Sequence, residues 1–123
     1  MLGHLSFGVS NLARAIAFYD AALAPLGYVR VWTSETQAGY GMPGDGDKLA
    51  LKLQSGPVVP PGPGFHLALT APNQDAVHRF HAAALEAGGA DEGGPGPRPH
   101  YGATYYAAFV RDPDGHKLEA VFQ

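Results

Sequence analysis

Displacing the 123-residue sequence by 62 positions brings it into register with itself. His4 falls on His66, Leu5 on Leu67, Asn11 on Asn73 and Phe18 on Phe80; Ala21, Ala22 and Leu23 fall on Ala83, Ala84 and Leu85, and Gly27 on Gly89. Eight identities in the 24 columns from His4 to Gly27 compare with roughly two for unrelated segments of this composition. A chain that repeats at half its length must fold as two copies of one unit, and that excludes most architectures open to a chain of this size. The seam is visible: seven of the ten residues from Ser55 to Gly64 are Gly or Pro, a composition that suits a linker and not an element interior. The expected modules are residues 1–55 and 65–123, joined by linker 56–64 within a single domain 1–123.

Each module reads as strand, helix and three strands. Leu2 to Val9 and Phe65 to Ala71 are short apolar or alternating stretches that predict strands. Asn11 and Asn73 sit where an N-cap would, ahead of residues recurring at helical spacing: Leu12, Ala15, Ile16, Tyr19 and Leu23 in the first module, Val77, Phe80, Ala84 and Leu85 in the second. Pro25 with Gly27, and Gly88 with Gly89, end the two helices. Strands are then predicted over Tyr28 to Ser34, Gln37 to Met42 and Lys48 to Gln54. In the second module a weak strand over Gly89 to Gly93 precedes clear ones over Thr104 to Arg111 and His116 to Phe122. Six of the seven residues from Gly93 to Pro99 are Gly or Pro and read as loop. Asp112-Pro113-Asp114-Gly115 is a strong tight-turn signal, since Pro113 presets φ and Gly115 tolerates a positive φ. The fold class is therefore α+β: two βαβββ modules forming an eight-stranded cup with the helices on its outer face.

Alternation assigns the faces. Leu49, Leu51 and Leu53 would pack under the helices, which leaves Ala50 and Lys52 opposite; Leu5, Phe7 and Val9 leave His4, Ser6 and Gly8 opposite. Leu67 and Leu69 leave His66, and Leu118 and Ala120 leave Glu119. His4, Lys52, His66 and Glu119 thus share the concave side. Two imidazoles and one carboxylate from three strands match a ligand set that leaves positions open for water or substrate, and zinc, iron, manganese, nickel and cobalt all accept it. The competing reading, in which each His is a hydrogen-bonded structural group and Glu119 a solvated one, is weakened by the two histidines holding equivalent repeat positions. Cup walls are expected from Tyr28, Arg30 and Trp32 on one face, Tyr40 with Met42, and Tyr105 with Phe109. Arg98, His100 and Tyr101 lie on the Gly- and Pro-rich segment at the mouth. Aromatic walls with a few polar groups suit a small organic ligand; ordinary packing is the alternative for each. His78, His81 and His116 read as surface or packing residues.

Composition removes other classes. The absence of cysteine excludes disulfides, thiolate ligands and thiol catalysis. A net charge of −3 with scattered cations argues against nucleic acid. No apolar run reaches membrane-spanning length and no signal-like segment opens the chain, so a cytoplasmic protein is expected with no membrane partner.

The stretch His-Leu-Ser-Phe-Gly-Val-Ser-Asn-Leu-Ala-Arg-Ala-Ile-Ala-Phe-Tyr from His4, Leu-Gly-Tyr at 26–28, Phe-His-Leu-Ala at 65–68 and the ending Phe-Val-Arg-Asp-Pro-Asp-Gly-His-Lys-Leu-Glu together resemble the vicinal oxygen chelate superfamily. This group contains glyoxalase I, extradiol dioxygenases, fosfomycin-resistance thiol transferases and bleomycin-binding proteins. The resemblance spans essentially the whole chain and implies paired βαβββ modules, with metal ligands at His4, His66 and Glu119. It also implies a homodimer in which modules pair within or between chains. Members that isomerise the glutathione hemithioacetal carry a carboxylate on the fourth strand. That place reads here as Lys52, which argues against lactoylglutathione lyase in the strict sense.

Two functions follow. In the first, a divalent-metal-dependent enzyme chelates two oxygens of a small substrate for lyase or isomerase, dioxygenase or thiol-transfer chemistry. Glu119 and Lys52 would be catalytic, and Ser6, Trp32, Tyr40, Arg98, His100, Tyr101, Tyr105 and Phe109 would contact substrate. Lys52 could serve as base, contact an anionic substrate or simply face solvent. In the second, a bleomycin-resistance-like protein binds its ligand in the same cup without chemistry.

Overall fold

The computed structural model describes residues 1–123. Strand β1 (Leu5–Val9) leads into helix α1 (Leu12–Leu23) and strands β2 (Val29–Thr33), β3 (Gln37–Gly41) and β4 (Leu49–Leu53). The second module repeats the order with β5 (Leu67–Thr70), α2 (Gln74–Glu86), β6 (Ala90–Pro97), β7 (Tyr106–Arg111) and β8 (Lys117–Phe122). The eight strands divide into two mixed four-stranded sheets, ordered β1-β4-β3-β2 and β5-β8-β7-β6, and no barrel closes. In each sheet the outer pair is parallel, β1 with β4 and β5 with β8, because the helix carries the chain across between them. No helix is long and apolar enough to cross a membrane.

The repeat is physical down to its caps. Asn11 and Asn73 have extended backbones, and their side-chain oxygens accept from the backbone N–H of Arg14 at 2.9 Å and of Ala76 at 2.8 Å. Each satisfies a donor that the first helical turn leaves free. The helix-facing residues of both sheets, among them Phe7, Leu51, Val110, Leu118 and Ala120, merge with Phe18, Tyr19, Val77 and Phe80 of the helices into one core. Helix α1 packs on α2. The meeting is tight where Gly89 passes Phe18: a Cβ there would stand 2.7 Å from the phenylalanine ring and 2.8 Å from the carbonyl of Arg111.

Four expectations change. A bulge between Arg30 and Trp32 breaks the alternation of β2. Arg30 therefore lies on the helix side, bonded to Asp20, while Trp32 crosses to the opposite face and covers Gly39. Tyr40 is not a cup wall: it is 2% exposed, and its hydroxyl donates to Asp20 at 2.8 Å. The Gly- and Pro-rich run expected as loop is instead the outer half of β6, which extends to Pro97. It tolerates prolines because β6 is an edge strand interrupted by two register shifts, so the missing N–H groups cost the ladder little. Leu53, expected in the core, ends β4 and is 39% exposed.

The turn Asp112-Pro113-Asp114-Gly115 does more than reverse the chain. Asp112 is buried and accepts from the hydroxyl of Tyr19 at 2.6 Å, from His116 Nδ1 at 2.8 Å, and from the backbone N–H groups of Asp114 and His116 at 2.9 and 2.8 Å. Tyr19 belongs to the first module, and Phe7 of β1 stacks on His116 with centroids 4.3 Å apart. Asp114 accepts from the backbone N–H and the hydroxyl of Ser10. The turn thus clamps one module to the other. Burial alone would raise the carboxyl pKa of Asp112, but the bonds from His116 and Tyr19 outweigh it and hold the group below the usual carboxylate range.

Replacing Asp112 by Asn should destabilise the protein by about 2–4 kcal/mol in urea unfolding, since an amide cannot accept from all these donors. Because folding lowers this pKa, its contribution is present above the ordinary carboxylate value of about 3.9 and is lost as pH falls through the folded value. The wild-type urea midpoint should therefore drop in that acid range more steeply than that of Asp112→Asn.

Candidate metal centre

Glu119 occupies the middle of β8, opposite Ala68 on one side and Phe109 on the other. Its neighbours Leu118 and Ala120 point under the helices, so it projects onto the face the helices leave uncovered, yet it is 0% exposed. Side chains of its own module cover it. The hydroxyl of Tyr105 donates to Oε2, and His66, just ahead of β5, places Nε2 2.9 Å from Oε1. That approach is close enough for an ion pair but too far off line for a hydrogen bond, and Oε1 is left buried with no donor. A buried carboxylate oxygen without a donor costs about 1–3 kcal/mol or more, so Oε1 has capacity for one further partner.

The pair fits a divalent ion. Two ligand atoms each about 2.1 Å from a metal and set at a right angle stand about 3 Å apart, which is the separation observed. Imidazole and carboxylate are also the donor types that first-row divalent ions accept. Tyr105 is held as the donor: burial, then its bond to Glu119, pushes its phenol pKa up to about 12. It fixes Oε2 while Oε1 stays free.

Several expected residues gather here. His66 meets Phe109 edge-on at 5.5 Å. Tyr105 lies 5.2 Å from Tyr101, which in turn lies 4.2 Å from His100, so a row of rings leads from solvent to Glu119. Tyr101, at its outer end, is 58% exposed. Arg98 sets its guanidinium 5.6 Å from the Phe109 centroid. Lys117 was not singled out from the sequence, although it lies two residues before Glu119 and hence on the same face. Its ammonium is 5.2 Å from the same ring.

The first-module residues stand apart. Within the chain no three His, Asp or Glu side chains converge as a metal site, so His4 does not join His66 and Glu119. It lines an apolar crevice of about 170 Å³ with Leu2, Leu5, Tyr28 and residues 67–69 of β5. Ser6 and Lys52 are exposed on β1 and β4. Strand register also corrects the comparison made at Lys52. Ser6 pairs with Ala50 as its repeat equivalent Ala68 pairs with Glu119, so Ala50, and not Lys52, occupies the matching place on the fourth strand. The first module has no carboxylate there.

With this geometry in view, the profile of the Glyoxalase/Bleomycin resistance protein/Dioxygenase superfamily matches residues 1–120. A glyoxalase/bleomycin resistance protein from Albidiferax ferrireducens T118 is 31% identical, with a TM-score of 0.83 over 98% of this chain and 96% of that one. A glyoxalase-related enzyme from Fulvimarina pelagi is 24% identical, with a TM-score of 0.75 over 98% and 86%. A fosfomycin resistance protein from Mesorhizobium loti, 19% identical, shares the fold with a TM-score of 0.71 over 100% and 92%. Comparison with curated protein sequences gives no match. The chain belongs to the Glyoxalase/Bleomycin resistance protein/Dioxygenase superfamily.

Proposed function

We propose that this protein is a cytoplasmic, divalent-metal-dependent enzyme acting on a small organic substrate with two adjacent oxygens, and that His66 and Glu119 are its principal ligands. The observation that carries the reading is the donorless Oε1 of Glu119 beside Nε2 of His66. Because His4 lies away from that pair in the single chain, the third ligand is assigned to the partner subunit's His4 in a homodimer, where a first module would face a second. Zinc, iron, manganese, nickel or cobalt would suit these donors. When bound, such an ion stabilises the negative charge developing on substrate oxygens during isomerisation, oxygen insertion or nucleophilic opening.

The protein's own groups do the rest. Tyr105 orients Glu119 and keeps its proton at neutral pH. Tyr101, exposed at the outer end of the row, gives flat apolar surface to an organic ligand, while the buried Phe109 packs edge-on against His66. Lys52, exposed on the face of the first module, would approach the substrate from the other side of a dimeric cup as a base or an anion contact. A second reading, a binding protein without chemistry, is favoured by the exposed aromatic row itself, which would hold a flat ligand with or without an ion.

Metal analysis separates the two. Protein purified without chelator and equilibrated with zinc, manganese, nickel or cobalt should hold close to one ion per chain, and His66→Ala should lose it. A wild type that retains none would favour the binder. Tyr105→Phe should weaken metal affinity about 10- to 100-fold through Glu119, read by competition with a chromogenic chelator, and an unchanged affinity would reject the orienting role.

A further inference from the structure

Around Phe109 the cation count exceeds what the fold uses. Arg111 is matched by Glu92 at 2.6 Å, Arg30 by Asp20, Arg14 by Asp114 and Arg79 by Asp75. Arg98 and Lys117 have no carboxylate partner, although both stand over one ring on the face that holds Glu119. Glu119 forms no ion pair with either, being buried behind Tyr105 and His66. Nor does the other side of Lys117 help: it walls a cavity of about 520 Å³ whose only other charged lining group is Arg111, the remainder being Phe65 and residues 60–64.

Arg98 is held in place. Nη1 and Nη2 donate to the carbonyls of Gly96 and Gly94, both at 2.9 Å. Its approach to the ring also requires Gly93, where a Cβ would come within 3.3 Å of the guanidinium and 3.4 Å of Phe109. Gly93 has a φ of +147°, so the bulged edge strand that sets Arg98 over the ring needs glycine for both space and backbone. A solvent-accessible cation over an aromatic ring gains little, because water competes for it. That is a small return for ordering a long side chain and leaving two like charges around one ring.

We propose that Arg98 and Lys117 form an oxyanion subsite beside Phe109, and that the substrate carries a carboxylate, phosphonate or phosphate in addition to the oxygens facing His66 and Glu119. The inference rests on the proposed function for its meaning, but the subsite belongs to this chain's own residues and binds an anion without metal. A fixed guanidinium and a mobile ammonium would grip the same group from two directions, with Phe109 excluding water beneath it.

Chelator-treated protein titrated with methylphosphonate, and separately with acetate, tests this by NMR. Saturable shifts should appear at Gly93–Arg98, Phe109 and Lys117. Lys117→Met and Arg98→Met should each weaken binding about tenfold, as expected for loss of one charge-assisted contact, with melting curves confirming that both variants fold. Arg79→Met, a control for net charge, should leave affinity unchanged. Tighter binding of acetate would indicate a carboxylate substrate, and of methylphosphonate a phosphonate or phosphate. Absence of saturable shifts in wild type, or affinity unchanged from wild type in both Met variants, would overturn the subsite. Metal analysis of the untreated protein separately decides the metal reading, so the two can fail independently.

Discussion

The carboxylate of Asp112 is the point on which the two modules depend. A repeat of this kind gives each copy an apolar sheet face that one helix cannot cover alone. Helix-to-helix packing of α1 on α2 supplies area but little orientation. Asp112 supplies orientation, because four directional donors converge on it and one of them, the Tyr19 hydroxyl, comes from the other module. The stacking of Phe7 on His116 fixes the same junction from the β1 side. A charged group is costly to bury without partners. Here the turn itself supplies three of the donors, and the fourth, the Tyr19 hydroxyl, is present only when the modules are docked, which makes the docking geometry specific.

Glu119 is the instructive contrast. It is as thoroughly buried as Asp112, yet one of its oxygens finds no donor. A fold that satisfies Asp112 four times over and leaves Glu119 half satisfied is treating them differently. The first carboxylate serves the structure, and the second keeps one oxygen uncommitted. Buried polar atoms lacking partners are rare enough that each calls for an explanation, and the His66 nitrogen lies 2.9 Å from this one.

Much of this was legible in the residues because it depended on period and repetition. The 62-residue displacement found both N-caps, Asn11 and Asn73, and the alternation of β8 correctly turned Glu119 away from the helices. What escaped was whatever breaks a period. The bulge in β2 moved Trp32 to the other face, and no turn residue announces it. Tyr40 looks the same in sequence whether its ring faces a cup or a core, and only the position of Asp20 on α1 decides. The Gly- and Pro-rich half of β6 reads as loop because composition reports local preference, whereas edge position is set by the whole sheet. Lys117 could have been found by applying alternation two residues upstream of Glu119. Whether His4 reaches His66 depends on how modules pair between chains, which local pattern does not encode.

Register also shows how the duplicated halves have diverged. Gly39 and Ala50 in the first sheet hold the places that Phe109 and Glu119 hold in the second, since Gly39 pairs with Ala50 as Phe109 pairs with Glu119. The first module therefore keeps a histidine at the shared position, His4, while its carboxylate and ring positions are reduced to small residues. The space over Gly39 is taken by the indole of Trp32, which would collide with any Cβ there, at 2.2 Å. One face concentrates charge and hydrogen-bonding chemistry around Glu119, and the other offers a shallow floor crossed by a half-exposed indole. A ligand bound between two such faces would be gripped by the second module and shaped by the first. The repeat has thus kept one backbone and one register while placing its buried carboxylate and ring in a single half.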